Sequence, residues 1–421
     1  MTILAMIAAA VVFFALILAS IALHEVGHML PAKKFGVRVP QYFVGFGKTI
    51  WSKKVGETEY GLKLIPLGGY VRLVGMYPPE TKRGTGRLAT IANDAREAEW
   101  ETITAADVRD QRLFYQKKSW QKLIVMAGGP LMNILLAYGV FLGINQLYGQ
   151  QQPTLQVQKV VACVDEGSST CVEPPAKAAG AQPGDTIVAF NGQPVSRWPE
   201  LVSRARANGR GTVQLTVDRD GQRVELPAVP GVVRSVPALD DPTKTVEAGF
   251  VGVQPGSALV RVGPVDTAVE MWNLTRQSLV ALATFPGKVV TTGYDLVTGR
   301  PRDVNGPLSV VGASRVAGEI AATEQLTWQS RTASYFSLLA GVNLFVALLN
   351  LVPLLPFDGG HIAGALWEAL RRAVSRLLCR PDPGYVDTAR LLPVAYVVGG
   401  FLLLAGAVLI VADIISPIKI F

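Results

Sequence analysis

The sequence predicts a four-span helical membrane protein. A sheet-forming loop follows the first span, and a β-rich domain is inserted between the second and third. Three observations carry that reading: the bulk composition, four long apolar runs, and the placement of Lys and Arg between them. The 421 residues are 49% apolar and only 17% charged, and the mean hydropathy is +0.31. That is too apolar for an ordinary soluble protein and too polar for a many-helix transporter. A few spans joined to soluble parts fit both facts, with the lipid bilayer as the surrounding medium.

The apolar runs are Ile3–Leu30, Leu123–Leu147, Leu338–Leu355 and Leu391–Ile415, against the roughly 20 residues that a helix needs to cross a bilayer. The third is the least regular, because it holds Asn343, Asn350 and Pro353. The loop from Pro31 to Lys122 is rich in Lys and Arg, and the loop from Glu368 to Arg390 carries Arg371, Arg372, Arg376, Arg380 and Arg390. Positive loops stay on the cytoplasmic side, so both are expected there. The N-terminus and the long segment from Tyr148 to about Arg331 are then expected outside. Residues 1–23 contain no Lys or Arg, so no signal-peptide n-region is expected. The net charge of +8 sits around spans rather than in a separate basic domain, which argues against a nucleic-acid partner.

Taken in order, residues 1–30 form the first transmembrane helix and 31–122 a cytoplasmic loop with a membrane-associated sheet. Within that loop, Tyr42–Val44 and Thr49–Trp51 flank Gly45-Phe46-Gly47. Tyr60–Ile65 alternates, and Pro66-Leu67-Gly68-Gly69 leads into Tyr70–Val74. Glycine-rich turns between aromatic and β-branched runs predict hairpins. An edge of that sheet, with Gly68 and Gly69 as substrate-binding candidates, could pair with an extended peptide; an ordinary cytoplasmic sheet is the plainer alternative. Residues 80–116 are charged and poorly patterned, which predicts a mobile loop with short helical pieces. Residues 123–147 form the second span.

The β-rich domain occupies about 153–255. Gly180, Gly184, Asp185, Ile187, Asn191, Gly192 and Val195 spell GxxxGDxIxxxNGxxV. A helical stretch Trp198–Ala207, a strand Thr212–Asp218 and a turn at Asp220-Gly221 follow. This pattern resembles a PDZ domain, which implies either a peptide ligand bound by strand addition or a rigid spacer limiting access to the membrane part. Residues 256–331 are expected to be an extracytoplasmic linker. Val265, Val269 and Trp272 at helical spacing mark either a helix lying on the membrane surface or an ordinary soluble one. The third transmembrane helix is expected over 332–367, a cytoplasmic loop over 368–390 and the fourth span over 391–415.

The chemistry is concentrated at the end of the first span, in His24-Glu25-Val26-Gly27-His28. Positions i and i+4 share a helix face, so both imidazoles can hold one zinc ion while Glu25 reaches a water. The motif uses two of only three histidines in the chain. Ionisable residues in a span are costly, and a bound cation would offset them. A catalytic zinc needs a third protein ligand and an open position. Asp358 is the candidate, in Asn350-Leu351-Val352-Pro353-Leu354-Leu355-Pro356-Phe357-Asp358-Gly359-Gly360-His361. Prolines 353 and 356 break the helix ladder, which is tolerated at membrane depth only beside a cavity or protein. His361 competes as a ligand, and a surface or supporting role is the plainer reading for it.

Together, His24–His28, Asn350…Pro353…Asp358-Gly359 and Gly129-Pro130-Leu131-Met132-Asn133 resemble the site-2 protease family of intramembrane zinc metalloproteases. The likeness covers the whole chain and is nearest the shorter bacterial members with one PDZ, of the kind seen in actinobacteria. It implies His24, His28 and Asp358 as zinc ligands and Glu25 as the base. It also implies contact of Asn350 with substrate or transition state. The implied substrates are single-span membrane proteins trimmed on the outer side, such as anti-sigma factors, and the implied role is regulated intramembrane proteolysis. The single PDZ departs from two-PDZ relatives and leaves open how substrates are gated. Two other classes remain at this stage: a non-cleaving, zinc-dependent membrane peptide-binding scaffold, and an ion transporter, against which the lack of an internal repeat argues.

The chain has three cysteines. The expected topology puts Cys163 and Cys171 outside and Cys379 in the reducing cytoplasm, which predicts a Cys163–Cys171 disulfide and a free Cys379.

Overall fold

The computed structural model describes residues 2–79, 87–164, 171–237 and 245–418. In chain order, α1 (Thr2–Lys34) is followed by two long strands, β1 (Gln41–Val55) and β2 (Thr58–Arg72). Three helices come next: α2 (Arg87–Trp100), α3 (Ala105–Arg109) and α4 (Ser119–Leu147). The strand-rich part runs β3 (Gln150–Val160), α5 (Pro175–Ala178), β4 (Thr186–Phe190), β5 (Gln193–Pro194), α6 (Trp198–Asn208), β6 (Thr212–Val213), β7 (Leu215–Arg219), β8 (Gln222–Glu225), β9 (Val229–Pro230), β10 (Val232–Pro237), β11 (Thr245–Phe250) and β12 (Val253–Val260). The C-terminal part holds α7 (Pro264–Thr298), α8 (Val310–Ala322), α9 (Trp328–Asn350), α10 (Asp358–Leu377) and α11 (Leu392–Ile415). The chain divides into two units, Met1–Leu147 with Gly263–Phe421, and Tyr148–Val262.

Among the described residues of the helical unit, four helical stretches are long and apolar enough to cross a membrane: Ile3–Lys34, Ser119–Leu147, Trp328–Asn350 and Thr388–Ile415. Helices α1 and α4 meet backbone to backbone. A Cβ on Gly27 would run into the Gly128 carbonyl, and one on Gly128 into the Gly27 carbonyl. Small residues allow such close approach where lipid offers no hydrophobic drive for association. Phe13 and Ile17 of α1 pack with Ala313, Val316 and Ala317 of α8 and with Tyr335 and Leu339 of α9. A buried ion pair, Arg302 Nη1 to Asp413 Oδ1 at 2.6 Å, ties the α7–α8 connection to α11.

The third span ends earlier than the sequence suggests. Helix α9 stops at Asn350 and a new helix, α10, starts at Asp358 and runs to Leu377. The expected single helix over 332–367 with a loop over 368–390 is therefore corrected. Pro353 and Pro356 lack the amide hydrogen that would continue the ladder. Gly359 and Gly360 lie in the first turn of α10. A Cβ on Gly359 would strike the Leu351 and Val352 carbonyls, so glycine is what lets this turn fold against the preceding loop.

Within 80–116, the expected short helical pieces are present as α2 and α3, tied to the rest of the helical unit. Arg96 pairs with Asp387 at 2.8 Å, Arg38 with Asp107 at 2.8 Å, and Glu99 accepts the Met76 and Tyr77 amides at 2.6 and 3.1 Å. Residues 80–86 lie outside the described ones. The segment 256–331 is not a linker with one helix. It begins in β12 and then forms α7, 35 residues long, and α8. Val265, Val269 and Trp272 on α7 are exposed.

Strands β1 and β2 bend on themselves into a four-stranded sheet, antiparallel except where residues 41–44 run alongside 59–62 in the same direction. Residues 41–44 pair on one side with 69–72 and on the other with 59–62, which pair in turn with 51–54. The bends fall at Gly45, Gly47 and Gly68, whose φ values of 90°, 83° and 117° suit only glycine well. The strand 69–72 is therefore an edge. The Tyr42 hydroxyl donates to the Ala22 carbonyl at 2.8 Å, which pins the sheet to α1 two residues before His24.

In the strand-rich unit the main sheet has the order β12-β3-β4-β7-β8, with β5 paired to β4. Ile187, Leu215, Val217 and Leu201 fill its core. Asn191-Gly192 and Asp220-Gly221 turn with positive φ throughout, the geometry of tight hairpin turns. Asp185 is buried, and the Arg219 guanidinium holds its carboxyl below the ordinary carboxylate range through bonds of 2.7 and 2.8 Å. Cys163 and Cys171 form a disulfide, and Cys379 is free and exposed.

Candidate active site

Helix α1 carries His24 and His28 one turn apart, so both rings leave the same face. Their Nε2 atoms lie 3.2 Å apart. Asp358, in the first turn of α10, places Oδ2 3.3 Å from each of them. Among the described residues, these three form the one group of His, Cys, Asp or Glu side chains arranged to hold a metal ion. Both histidines are buried.

The donor set fits zinc. Tetrahedral bonds of about 2.0–2.1 Å set neighbouring ligand atoms about 3.3–3.4 Å apart, which is the edge of this triangle. His28 Nδ1 lies 2.8 Å from the Val125 carbonyl. As a donor there, Nδ1 carries the proton of the neutral ring and Nε2 turns a bare lone pair toward Asp358. Asp358 Oδ2 has no hydrogen-bond partner. His28 Nε2 and Asp358 Oδ2 thus face each other as acceptors, and a cation held between them and His24 Nε2 would satisfy both. The space for one is kept by Gly129 of α4, since a Cβ there would run into His28 Nε2 and lie 2.7 Å from His24 Nε2.

The helix that carries Asp358 is held by a buried charge cluster. Glu368 of α10 takes bonds from Lys122 Nζ at 2.8 and 3.0 Å and from Ser119 Oγ at 3.1 Å, both on α4, and pairs with Arg372 at 3.1 Å. This docks α10 on the helix that supplies Gly129 and the Val125 carbonyl.

A cavity of about 760 Å³ opens on the triangle. Glu25, Gly68, Gly69, Asn350 and His361 line it, as do Tyr70, Val71 and Arg72 of the sheet edge and Asn133 of α4. Gly69 sits beside Glu25, whose Cγ a Cβ there would meet at 3.4 Å. The structure thus brings the HEVGH residues, Asp358, Asn350 and the Gly68-Gly69 edge to one place. His361 borders the cavity but stands outside the ligand triangle. Cys163 and Cys171 belong to the other unit. Sequence reasoning did not single out the Val125 carbonyl or the cluster around Glu368, because both act through tertiary contacts with no local pattern.

A membrane-embedded HExxH helix, a facing aspartate and an open cavity define a zinc peptidase of the bilayer. Residues 12–377 match peptidase family M50, and the chain belongs to that family. It is similar to zinc metalloprotease Rip1 of Mycobacterium tuberculosis, 35% identical with 98% of each chain covered, and to Rip1 of Mycolicibacterium smegmatis, 32% identical with 98% of each covered. It is also similar to metalloprotease MmpA of Caulobacter vibrioides, 27% identical over 84% of each chain. The protein is a multi-pass membrane protein and an intramembrane zinc metalloendopeptidase.

Proposed function

We propose that this enzyme hydrolyses peptide bonds within the membrane-spanning segments of single-span proteins already trimmed on the outer side, anti-sigma-factor-like proteins among them, and so relays a signal inward. The observation that carries the reading is the convergence of His24, His28 and Asp358 at the floor of a cavity bordered by an open strand edge. His24 Nε2, His28 Nε2 and Asp358 Oδ2 would hold zinc. Bound there, zinc supplies Lewis acidity, which activates water and polarises a carbonyl. The Glu25 carboxylate takes a proton from the attacking water as its oxygen bonds to the scissile carbonyl carbon. It then gives the proton to the leaving nitrogen as the C–N bond breaks. The Asn350 amide faces the charge developing on the carbonyl oxygen.

A substrate helix hides its carbonyls in i→i−4 bonds and must unwind before it can be cut. The edge strand 69–72 supports an extended segment by strand addition, which replaces those lost bonds. Lys and Arg in the loops around residues 31–122 and 368–390 favour a cytoplasmic position for the sheet and an extracytoplasmic one for residues 148–262. The latter unit reads as a PDZ-like domain that either binds peptide or restricts access.

The test is cleavage by the purified protein in lipid nanodiscs of single-span substrates with intact or trimmed outer parts, with products mapped by mass. Cuts inside the apolar segment, faster for trimmed substrate and abolished by zinc chelation, are expected. Cuts confined to residues outside the span would contradict the reading.

A further inference from the structure

Among the described residues, three side chains lining the cavity carry a buried polar atom without a hydrogen-bond partner: His24 Nδ1, Asp358 Oδ2 and Asn133 Oδ1. The first two belong to the metal ligands. Asn133 does not. It is 2% exposed and lies on α4 one turn beyond Gly129, about 6 Å along the axis. Residues four apart share a face, so Asn133 stands over the same floor that Gly129 forms.

A buried amide oxygen without a donor is costly, and such orphans are rare unless a ligand completes them. The chemistry of the missing partner can be read from its surroundings. The cavity holds an unwound stretch of helix in the reading given above, on which this inference rests. Unwinding frees backbone N–H groups that nothing in a bilayer can satisfy. The sheet edge 69–72 is one source of partners for them, and α4 forms another wall of the cavity. An Asn side chain presents a carbonyl acceptor, as a peptide group does.

We propose that Asn133 Oδ1 accepts a hydrogen bond from one backbone N–H of the unwound substrate close to the scissile bond. Asn133 is thereby a substrate-positioning residue that holds the extended segment from the α4 side. It favours the unwound form over the helical one, since the helix offers no free N–H at that point.

The test uses the full-length protein in detergent with its zinc, and a synthetic single-span peptide with about 20 apolar residues. Asn133→Leu keeps the branched shape of the side chain and removes the acceptor. It is expected to retain one zinc per chain and the wild-type melting temperature while kcat/KM falls about 10-fold, as for loss of one hydrogen bond. A series of peptides each N-methylated at a single backbone position identifies the partner. At one position the ratio of wild-type to Asn133→Leu activity should collapse to about one, because the donor is already gone. Asn133→Ala, read on the same series, replaces Asn133→Leu if the latter does not fold. Unchanged kcat/KM, a ratio constant along the series, or loss of zinc in parallel with activity in both variants would overturn the proposal. Glu25→Gln separates the failures. If it is inactive while the Asn133 variants are not impaired, only this inference falls; if it cleaves, the reading of the site falls.

Discussion

Adding one methyl group at Gly129 should remove the metal while leaving the fold in place. In Gly129→Ala the new Cβ runs into His28 Nε2 and lies 2.7 Å from His24 Nε2. Ordinary non-bonded contact begins near 3.5 Å, so the His24 ring must retreat by about 0.8 Å. Metal sites tolerate only about 0.2 Å. Disturbing groups that merely orient zinc ligands costs about 10–100-fold in affinity, and this change displaces the ligands themselves. Zinc affinity should therefore fall at least about 100-fold, or about 2.7 kcal/mol. Alanine also suits a helix better than glycine by about 1 kcal/mol, so loss of helix is not the expected cause. Elemental analysis after dialysis against buffered zinc, with circular dichroism melting on the same sample, reads both quantities. A Gly129→Ala protein that keeps one zinc per chain at wild-type affinity would refute the placement of the metal against α4.

Two other perturbations address the sheet edge and the strand-rich unit. Proline at positions 70, 71 and 72 in turn removes backbone donors from the edge; at least one substitution should slow cleavage of a single-span substrate with zinc retained, and unchanged rates at all three would exclude strand addition there. Arg219→Ala should lower the melting temperature at pH 7, because Arg219 holds the buried Asp185 carboxylate in its charged form. A carboxyl with a depressed folded pKa stabilises the fold above its unfolded value, near 3.9, and that contribution is lost as pH falls through the folded value. The gap between wild type and variant should thus be widest at neutral pH and close under acid conditions; a gap independent of pH would show that the ion pair is not its source.

The parts of this molecule that follow local rules were legible in the sequence. HEVGH at the end of an apolar run places two histidines on one face by helix periodicity alone. The four strand pieces between Tyr42 and Val74 pair as one sheet, and the Asn191-Gly192 and Asp220-Gly221 turns follow from dipeptide chemistry. Long-range contacts account for the rest. Glycine disfavours helices, yet here Gly359-Gly360 permits the close packing that starts α10. Residues 87–116 look patternless because Arg96, Glu99 and Asp107 find their partners far away, at Asp387, Met76 and Arg38. Gly129 and Asn133 stood out only through resemblance to a family motif. Their physical roles, clearing space for a metal and presenting an unpaired acceptor, exist only once α4 lies against α1.

The central claim is that His24, His28, Asp358 and Glu25 form one catalytic centre in which the ligands hold zinc and Glu25 moves the proton. Zinc content and cleavage measured together on Glu25→Gln test it most directly. The variant should bind one zinc per chain, as wild type does, and yield no cleavage of a single-span substrate. A Glu25→Gln enzyme that cleaves at the wild-type rate would contradict the account.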